Sequence, residues 1–434
     1  MRRRLLPLGL AALFFNPFFA QTVDAGRNGA YETRGVRTPR ATEPAATLTL
    51  KAALELALGA NPELSAAGHE LEAVEATIIQ AGVRPNPQIS TLIEDTQRST
   101  RSTTLQLNQP IELGGKRAAR IEAAERGRDA ASAELDAKRA EIRAAVITAF
   151  FNVLAAQERI QLVQSSVLLA QRATTAASRR VTAGKVSPVE ETKARVAEAG
   201  VRVESFQAIS ELSIARKRLA ATWGSPSPRF ERVEGAVETL PTLPSLEELN
   251  TRLANAPSLL RAQLEVNRRK ALAQVERTRR IPDVTVSLGT KRNEELGRNQ
   301  AIFGISIPIP VFDRNQGNLL EALRRTDKAR DELTATEVRL GSELAQAHER
   351  LNAVRQEVDA LQNDILPGAQ SAYDAATKGF ELGKFSFLEV LDAQRTLLQA
   401  KSQYLRTLTE GYRAAAEIER VLGDTSSVTL AVTP

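Results

Sequence analysis

The sequence has no cysteine, only two histidines, and a single methionine, which is the initiator. The absence of cysteine excludes disulfides, iron–sulfur clusters and thiolate zinc sites. His69 and His348 have no carboxylate–histidine spacing around them, so a transition-metal site is not expected. No nucleophile–base set and no phosphate-binding loop is present either. The sequence therefore predicts a protein that is not an enzyme and has no resident metal or cofactor.

Excess positive charge is concentrated at the N-terminus. The net charge is +6, and Arg2–Arg4 contribute half of it. Aromatic residues interleaved with basic ones are missing, so no nucleic-acid partner is expected.

The N-terminal arginines precede an apolar run at 5–20, which predicts a signal peptide over 1–25, cleaved after Ala20 or Ala25. A membrane anchor is the alternative, but the run is short and is interrupted by prolines. No later run has the length of a membrane helix, so any membrane span would consist of strands.

The rest of the chain repeats itself. Four pairs of matching segments occur in the same order in both halves, at offsets of 195 to 199 residues. Their landmark residues are Pro62 and Pro257, Pro85 and Pro282, Pro110 and Pro308, and Gly184 and Gly383. A fixed period indicates internal duplication. We predict two repeats, 47–222 and 246–425, joined by a linker rich in Pro, Gly and Ser at 223–245. An extended leader at 26–46 and a tail at 426–434 complete the chain.

Each repeat is predicted to begin with a helix of about 30 residues, followed by two strands. The helices are expected at about 48–82 and 246–280. The strand segments are 86–95, 102–113, 284–289 and 301–307. Their side chains alternate between apolar and polar or small, which is typical of a sheet with one wet face. A soluble sheet that caps a coiled coil would show the same alternation.

A very long helix follows each strand pair. From 115 to 183 there is no proline, and about 68 residues of helix span on the order of 100 Å. Apolar residues recur in seven-residue frames at Ile121, Leu135, Ile142 and Ala149, and at Leu319, Leu333, Leu340, Ala347, Val354 and Leu361. This period is typical of coiled-coil packing. Pro367 and Gly368 are expected to bend the second long helix. A turn and a returning helix of about 35 residues end each repeat.

The two turns share a design. The segments "AGKVSPVEE" (183–191) and "LGKFSFLEV" (382–390) each contain a glycine that can end a helix, then Ser-x-x-Glu, the pattern of a capping box. Both turns are expected at the end of the long helices that lies away from the strands. The end of one helix and the capped start of the next would explain the pattern without any partner. Phe385 and Phe387 favour a partner surface, because turns rarely expose two large apolar side chains.

Glu389 and Asp392 are three residues apart, so they share one face of the last helix. In a symmetric oligomer they would form rings of like charge, which select for cations. The first repeat has Glu190 and Lys193 at these positions. Alternatively, Glu389 belongs to the capping box and Asp392 only complements the helix dipole.

Four strands per chain cannot close a barrel, and an open sheet edge is not tolerated in lipid. Three copies would supply twelve strands, an even number within the range of outer-membrane barrels.

Three long phrases carry a resemblance to a known family. They are "NQPIELGGKRAARIEAAE" (108–125), "PIPVFDRNQGN" (308–318) and "GKFSFLEVLDAQRTLLQA" (383–400). They resemble the TolC-like outer membrane factors, most closely the cobalt–zinc–cadmium resistance branch, and the resemblance covers about 47–425. It implies a mixed but mainly α-helical homotrimer in the outer membrane of a Gram-negative cell. A 12-stranded β-barrel in lipid would continue into a coiled-coil tunnel across the periplasm.

The resemblance also implies a passive exit duct that docks to a periplasmic adaptor and an inner-membrane pump of the resistance-nodulation-division class. The expected substrates are divalent heavy-metal cations, with an acidic constriction at Glu389 and Asp392. The expected adaptor-docking residues are Gly184, Lys185, Val186, Ser187, Gly383, Lys384, Phe385 and Ser386. One alternative is a duct for drugs or other organic compounds. Another is a periplasmic coiled-coil adaptor or scaffold, but that class predicts one hairpin, whereas this sequence has two hairpins and two strand pairs.

Overall fold

The computed structural model describes residues 43–235, 240–382 and 384–423. The predicted signal peptide, most of the predicted leader and the predicted tail lie outside these residues. The elements follow the chain as β1 (Thr47–Thr49), α1 (Leu50–Ala60), α2 (Pro62–Ala81), β2 (Gln88–Glu94), β3 (Ser102–Ile111), α3 (Lys116–Thr182), α4 (Pro188–Ala221), β4 (Arg232–Glu234), α5 (Leu246–Leu253), α6 (Pro257–Thr278), β5 (Val284–Asn293), β6 (Arg298–Ser306), α7 (Gln316–Ala360), a π-helical turn (Leu361–Ile365), α8 (Leu366–Glu381) and α9 (Phe387–Leu422). The fold is mainly helical with some sheet, which confirms the predicted class.

The prediction of one continuous helix at the start of each repeat is wrong. Asn61 separates α1 from α2 in an extended conformation, and Pro62 is the first residue of α2. The Asn61 side-chain oxygen accepts hydrogen bonds from the amides of Glu63 (2.7 Å) and Leu64 (3.0 Å). Pro257 begins α6 in the same way, after α5 has ended. The break has a steric cause, because the proline ring disfavours helical backbone at the residue before it.

The four long strands form one antiparallel sheet in the order β2-β3-β5-β6. Leu107 lies opposite both Ile89 and Leu288, and Leu288 lies opposite Phe303. Directly opposite side chains share a face of the sheet. One face is therefore lined by Ile89, Ile93, Leu105, Leu107, Ile111, Val284, Val286, Leu288, Ala301, Phe303 and Ile305. The predicted alternation is confirmed, and the apolar face is the exposed one, since Phe303 retains 68 % of its accessible surface.

The other face of the sheet is polar. The Asn108 side chain donates to Ser90 Oγ (2.9 Å) and accepts from Ser287 Oγ (2.6 Å), which links three strands. Lys291 Nζ lies 2.6 Å from a carboxylate oxygen of Glu94. The sheet thus carries its internal polar contacts on one side and its apolar side chains on the other.

The helices continue the order of the strands. The segment α2 leads into β2, β3 into α3, α6 into β5 and β6 into α7. Accordingly, α2 packs against α3, α3 against α6, and α6 against α7. Farther from the sheet, α3 packs between α4 and α9, and α9 packs against α7 and α8. The 67-residue helix α3 therefore packs both against the helices next to the sheet and against those farther from it. Its bounds confirm the prediction.

The core surrounds the middle of α3. Phe150 and Phe151 are fully buried, and the Phe151 ring stacks on that of Tyr412 from α9 at 3.5 Å between centroids. Burial raises the pKa of the Tyr412 hydroxyl to about 12. Phe230 and Val233 of the predicted linker also enter the core, where β4 pairs with β1 in parallel.

The helix α3 contains the one described 18-residue window that is apolar enough to cross a membrane by length and composition. This was not expected from the sequence. Half of that window is buried inside the protein, and Ile147, Phe150 and Phe151 of the same helix are core residues. A core helix passes the same test, so the apolar character of α3 is explained by packing.

The second long helix is not interrupted at Pro367. The segments α7 and α8 are joined by the π-helical turn Leu361–Ile365, which ends two residues before the proline. Proline has no amide hydrogen and its ring collides with the carbonyl four residues earlier, which here belongs to Asn363. One wider turn at that carbonyl accommodates the ring while the helix continues. Of the heptad residues predicted here, Leu340, Ala347, Val354 and Leu361 are buried.

A cluster of ion pairs joins α9 to α7. One guanidinium nitrogen of Arg420 lies 2.6 Å from Glu343 and 2.7 Å from Glu417. Burial disfavours the charged form of Glu343, but hydrogen bonds from Arg420 and Arg339 outweigh it, so the pKa of Glu343 is lowered below its ordinary 4.5. A carboxyl with a lowered folded-state pKa stabilises the fold above about pH 4.5 and loses this contribution as the pH falls through the folded-state pKa.

We therefore expect Glu343→Gln to lower the melting temperature by about 3 °C at pH 7, because Arg420 loses a charged acceptor. The difference from wild type should shrink at pH 4 and below. Circular dichroism melts at the two pH values measure this. Glu321→Gln, which removes the partner of Arg325 from an exposed pair, is the matched control and should change little. A Glu343→Gln penalty that is the same at both pH values would contradict the assignment.

Candidate functional site: the two helical turns

The turn between α3 and α4 and the turn between α8 and α9 lie side by side. Ala177 and Ala194, from the first hairpin, are each buried to 1 % exposure against Phe380 and Leu391 of the second. The guanidinium of Arg180 lies over the Phe380 ring, 4.6 Å from its centroid, in a cation–π contact. The prediction that both turns lie at the same end of the long helices is confirmed by these contacts. Neither contact was predicted, because the partners are about 200 residues apart in the chain.

The first turn is a tight, exposed reversal. Gly184 has φ +67°, which only glycine adopts without strain. The amide of Lys185 donates to the carbonyl of Arg180 at 2.9 Å and closes the turn. Gly184, Lys185 and Ser187 are exposed and Val186 is half-buried. All four of these candidate docking residues are therefore at the surface.

In the second turn, Phe385 folds back on its own hairpin. The amides of Lys384 and Phe385 both donate to the carbonyl of Gly379, at 2.8 and 3.2 Å. The Phe385 ring occupies the space beside Gly379 that a Cβ would need. Its exposure is 44 %, so it is only partly available to a partner. Gly383 and the Phe387 side chain lie outside the described residues.

The two predicted capping boxes differ. In the second turn the box is complete, with the Ser386 amide donating to a Glu389 carboxylate oxygen at 2.6 Å and the Glu389 amide donating to Ser386 Oγ at 3.4 Å. In the first turn the Ser187 hydroxyl instead accepts from the amide of Val189 at 3.3 Å. The capping-box prediction for Glu190 is therefore wrong, because the Ser187 hydroxyl accepts from the amide of Val189 and not from the amide of Glu190.

Glu389 and Asp392 are both exposed, near the start of α9. The carboxylate of Glu389 is held by the Ser386 amide, whereas Asp392 contributes its backbone carbonyl to Thr396. Neither carboxylate has an ion-pair partner within residues 43–235, 240–382 and 384–423. The structure brings together no group of three or more His, Cys, Asp or Glu side chains in those ranges that could hold a metal ion. The acidic pair is thus not engaged in a direct ion pair with any described side chain.

A second surface was missed in the sequence. Of the described elements, α4 packs chiefly against α3, and its free side carries an apolar stripe. Val189, Val196 and Val203 follow each other at seven-residue intervals, and Phe206 extends the stripe with 71 % exposure. The signal was a valine heptad, the pattern of an unpaired coiled-coil seam. In the sheet, β2 and β6 are likewise paired on one side only.

Comparison with known proteins gives consistent results. The sequence model of the outer membrane efflux protein family matches residues 53–225 and 249–424. The cobalt-zinc-cadmium resistance protein CzcC of Cupriavidus metallidurans is 50 % identical over 423 residues, which cover 98 % of this chain and all of that protein.

Solved structures share the fold at lower identity. The CusC channel superposes with a TM-score of 0.73 at 20 % identity, over 87 % of this chain and 92 % of CusC. The outer membrane protein VceC of Vibrio cholerae superposes with a TM-score of 0.71 at 20 % identity, over 86 % of this chain and 96 % of VceC.

Proposed function

The chain belongs to the outer membrane efflux protein family, and we propose that it is the outer-membrane duct of a tripartite pump that exports divalent heavy-metal cations. The observation that carries the substrate class is the 50 % identity, over nearly the whole chain, to a cobalt-zinc-cadmium resistance protein. The duct itself is passive, and the energy comes from the inner-membrane partner.

We propose that three copies close a ring. The unpaired strands β2 and β6 at the two sheet edges support this, because joining β2 of one copy to β6 of the next leaves no open edge in lipid. Three sheets give a 12-stranded barrel whose exposed apolar face contacts lipid. The helices continue the ring as a tunnel, and the apolar stripe on α4 is the seam to the next copy.

The order of elements from α1 to α4 recurs from α5 to α9, which supports a duplicated unit with repeats at 47–222 and 246–425, joined by a linker at 223–245.

The two turns form the proposed docking end for a periplasmic adaptor, which connects the duct to a pump of the resistance-nodulation-division class. The exposed residues among the described candidates for this contact are Gly184, Lys185, Ser187, Lys384, Phe385 and Ser386. Glu389 and Asp392 form the proposed acidic constriction beside them. The support for that role is their exposure, their shared helix face and the absence of an ion-pair partner for either carboxylate among the described residues.

Deleting the gene and restoring it on a plasmid tests the substrate class. We expect the deletion strain to lose tolerance to zinc, cobalt and cadmium by about tenfold in inhibitory concentration, because without a duct the whole pump is blocked. Tolerance to dyes and detergents should not change. Loss of drug tolerance with intact metal tolerance would favour export of organic compounds instead. Recovery of a soluble monomer from the periplasm would contradict the channel.

A further inference from the structure

The face of α3 opposite the core forms the floor of a groove. Ile147, Phe150 and Leu154 belong to the core cluster on the side of α3 that contacts α1 and β4, whereas Phe151 stacks on Tyr412 of α9. Ala145, Thr148, Asn152 and Ala155, about half a helical turn away, line an open groove of about 940 Å³ between α4 and α9. In the proposed ring α3 lies in the wall, so the groove and the layer of α1 and β4 lie on its two opposite surfaces. We assign the groove to the tunnel side.

Carboxylates in this groove are paired with cations. Its lining contains four glutamates and five arginines. Arg159 of α3 binds Glu211 of α4 at 2.6 Å, Arg413 binds Glu410 at 3.0 Å, and Arg420 binds Glu417 at 2.7 Å. The fourth glutamate, Glu141, has Lys138 at 3.2 Å. Arg218 and Arg406 have no carboxylate partner in the part of the chain that the structure describes, so they add positive charge to the wall.

A second groove, nearer the sheet, shows the same pattern. It lies among α2, α3, α6 and α7 and is lined by six arginines and five glutamates. Glu134 is paired with Arg261 (2.9 Å), and Glu265 is paired with Arg268 (3.1 Å). Glu70 is the exception, since the described residues give it no cationic partner. At the end of the long helices that carries the two turns (the turn end), Glu389 and Asp392 have no ion-pair partner among the described residues.

We infer that the tunnel wall prevents exported divalent cations from binding during transit, because arginine and lysine side chains pair with its carboxylates, Glu70 excepted, and confine cation attraction to the turn end. This inference rests on the proposed function. Neither groove is lined by histidine or cysteine, so carboxylates are the charged ligands that they could offer a divalent cation. A guanidinium at about 3 Å both occupies the carboxylate oxygens and repels the ion. A duct conducts only if its sites release the ion as readily as they admit it. A wall with free glutamates along tens of ångströms would instead retain zinc.

The test measures zinc block of the full-length trimer in planar lipid bilayers. Arg159→Gln removes the ion-pair partner of Glu211, and Arg218→Gln removes the unpaired arginine of α4 that lines the same groove. We expect zinc chloride to block this double variant at about tenfold lower concentration than wild type, since the freed carboxylates bind the ion without nearby positive charge. Adding Glu211→Gln to the double variant should restore the wild-type blocking concentration.

Arg325→Gln is the matched control, because it breaks an equivalent pair with Glu321 outside both grooves and should leave zinc block unchanged. If the first double variant does not assemble, Arg350→Gln with Arg413→Gln removes both ion-pair partners of Glu410 (3.5 and 3.0 Å) and tests that carboxylate on the opposite side of the groove. Unchanged block in an assembled double variant, or block that persists after Glu211→Gln is added, would overturn the inference. Metal tolerance in cells is a separate readout, so failure of the proposed substrate class would leave the bilayer result interpretable.

Discussion

Replacing Phe206 by aspartate is expected to abolish the trimer and, with it, export. Phe206 lies on the free side of α4, with 71 % of its surface exposed, and it continues the stripe of Val196 and Val203. In the proposed ring this stripe is the coiled-coil seam to the next copy. Burying an unpaired carboxylate in an apolar seam costs several kcal/mol per contact, and a closed ring repeats that cost three times.

The measurement is the mass of the detergent-extracted protein by light scattering, together with zinc tolerance in complemented cells. Phe206→Asp should have the mass of a monomer and should not restore zinc tolerance to the deletion strain. Phe206→Leu, which keeps an apolar side chain at the same position, should remain trimeric. Val196→Asp tests the stripe at an independent position. Trimers that persist in both aspartate variants would show that α4 is not the seam.

The long elements could be predicted from the sequence, because their signals are local and repeated. A proline-free heptad pattern placed α3 within one residue of its observed ends, and period-two alternation identified all four strands of the sheet. The breaks at Pro62 and Pro257 were missed because both flanking segments have helical character, so the periodicity continued across them. The ends of helices are decided by one or two dihedral angles, which a pattern averaged over many residues does not resolve.

The arrangement of the turn end could be predicted only in outline. The Ser-x-x-Glu pattern occurs in both turns, but whether the glutamate returns to the serine amide depends on side-chain geometry, and only the second turn forms the box. The contact of Arg180 with Phe380 depends on which hairpins become neighbours. Among the groove carboxylates, the pair of Arg159 with Glu211 also joins two helices. Such contacts follow from tertiary packing and have no local sequence signal, whereas pairs such as Glu410 with Arg413 are three residues apart on one helix and could be read from the sequence.

Neutralising Glu389 and Asp392 is expected to reduce the cation preference of the channel. Alanine is unsuitable at position 389, because it would also remove the carboxylate oxygen that accepts from the Ser386 amide in the capping box. Glu389→Gln keeps an acceptor oxygen at that position, because glutamine can replace glutamate in a capping box. Combined with Asp392→Asn, it removes two negative charges per copy while leaving the start of α9 intact.

In bilayers with a potassium chloride gradient, the double variant should lower the cation-to-anion permeability ratio by about tenfold, because six like charges leave a narrow ring in the trimer. Divalent-ion block from the turn side should weaken in parallel. Glu190→Gln makes the same chemical change in the other turn, where the neighbouring position is Lys193, and should leave the ratio unchanged. If Glu190→Gln and the double variant shift the ratio equally, the charge of the whole turn end matters and these two residues are not a constriction. If neither shifts it, ion selection occurs elsewhere along the duct.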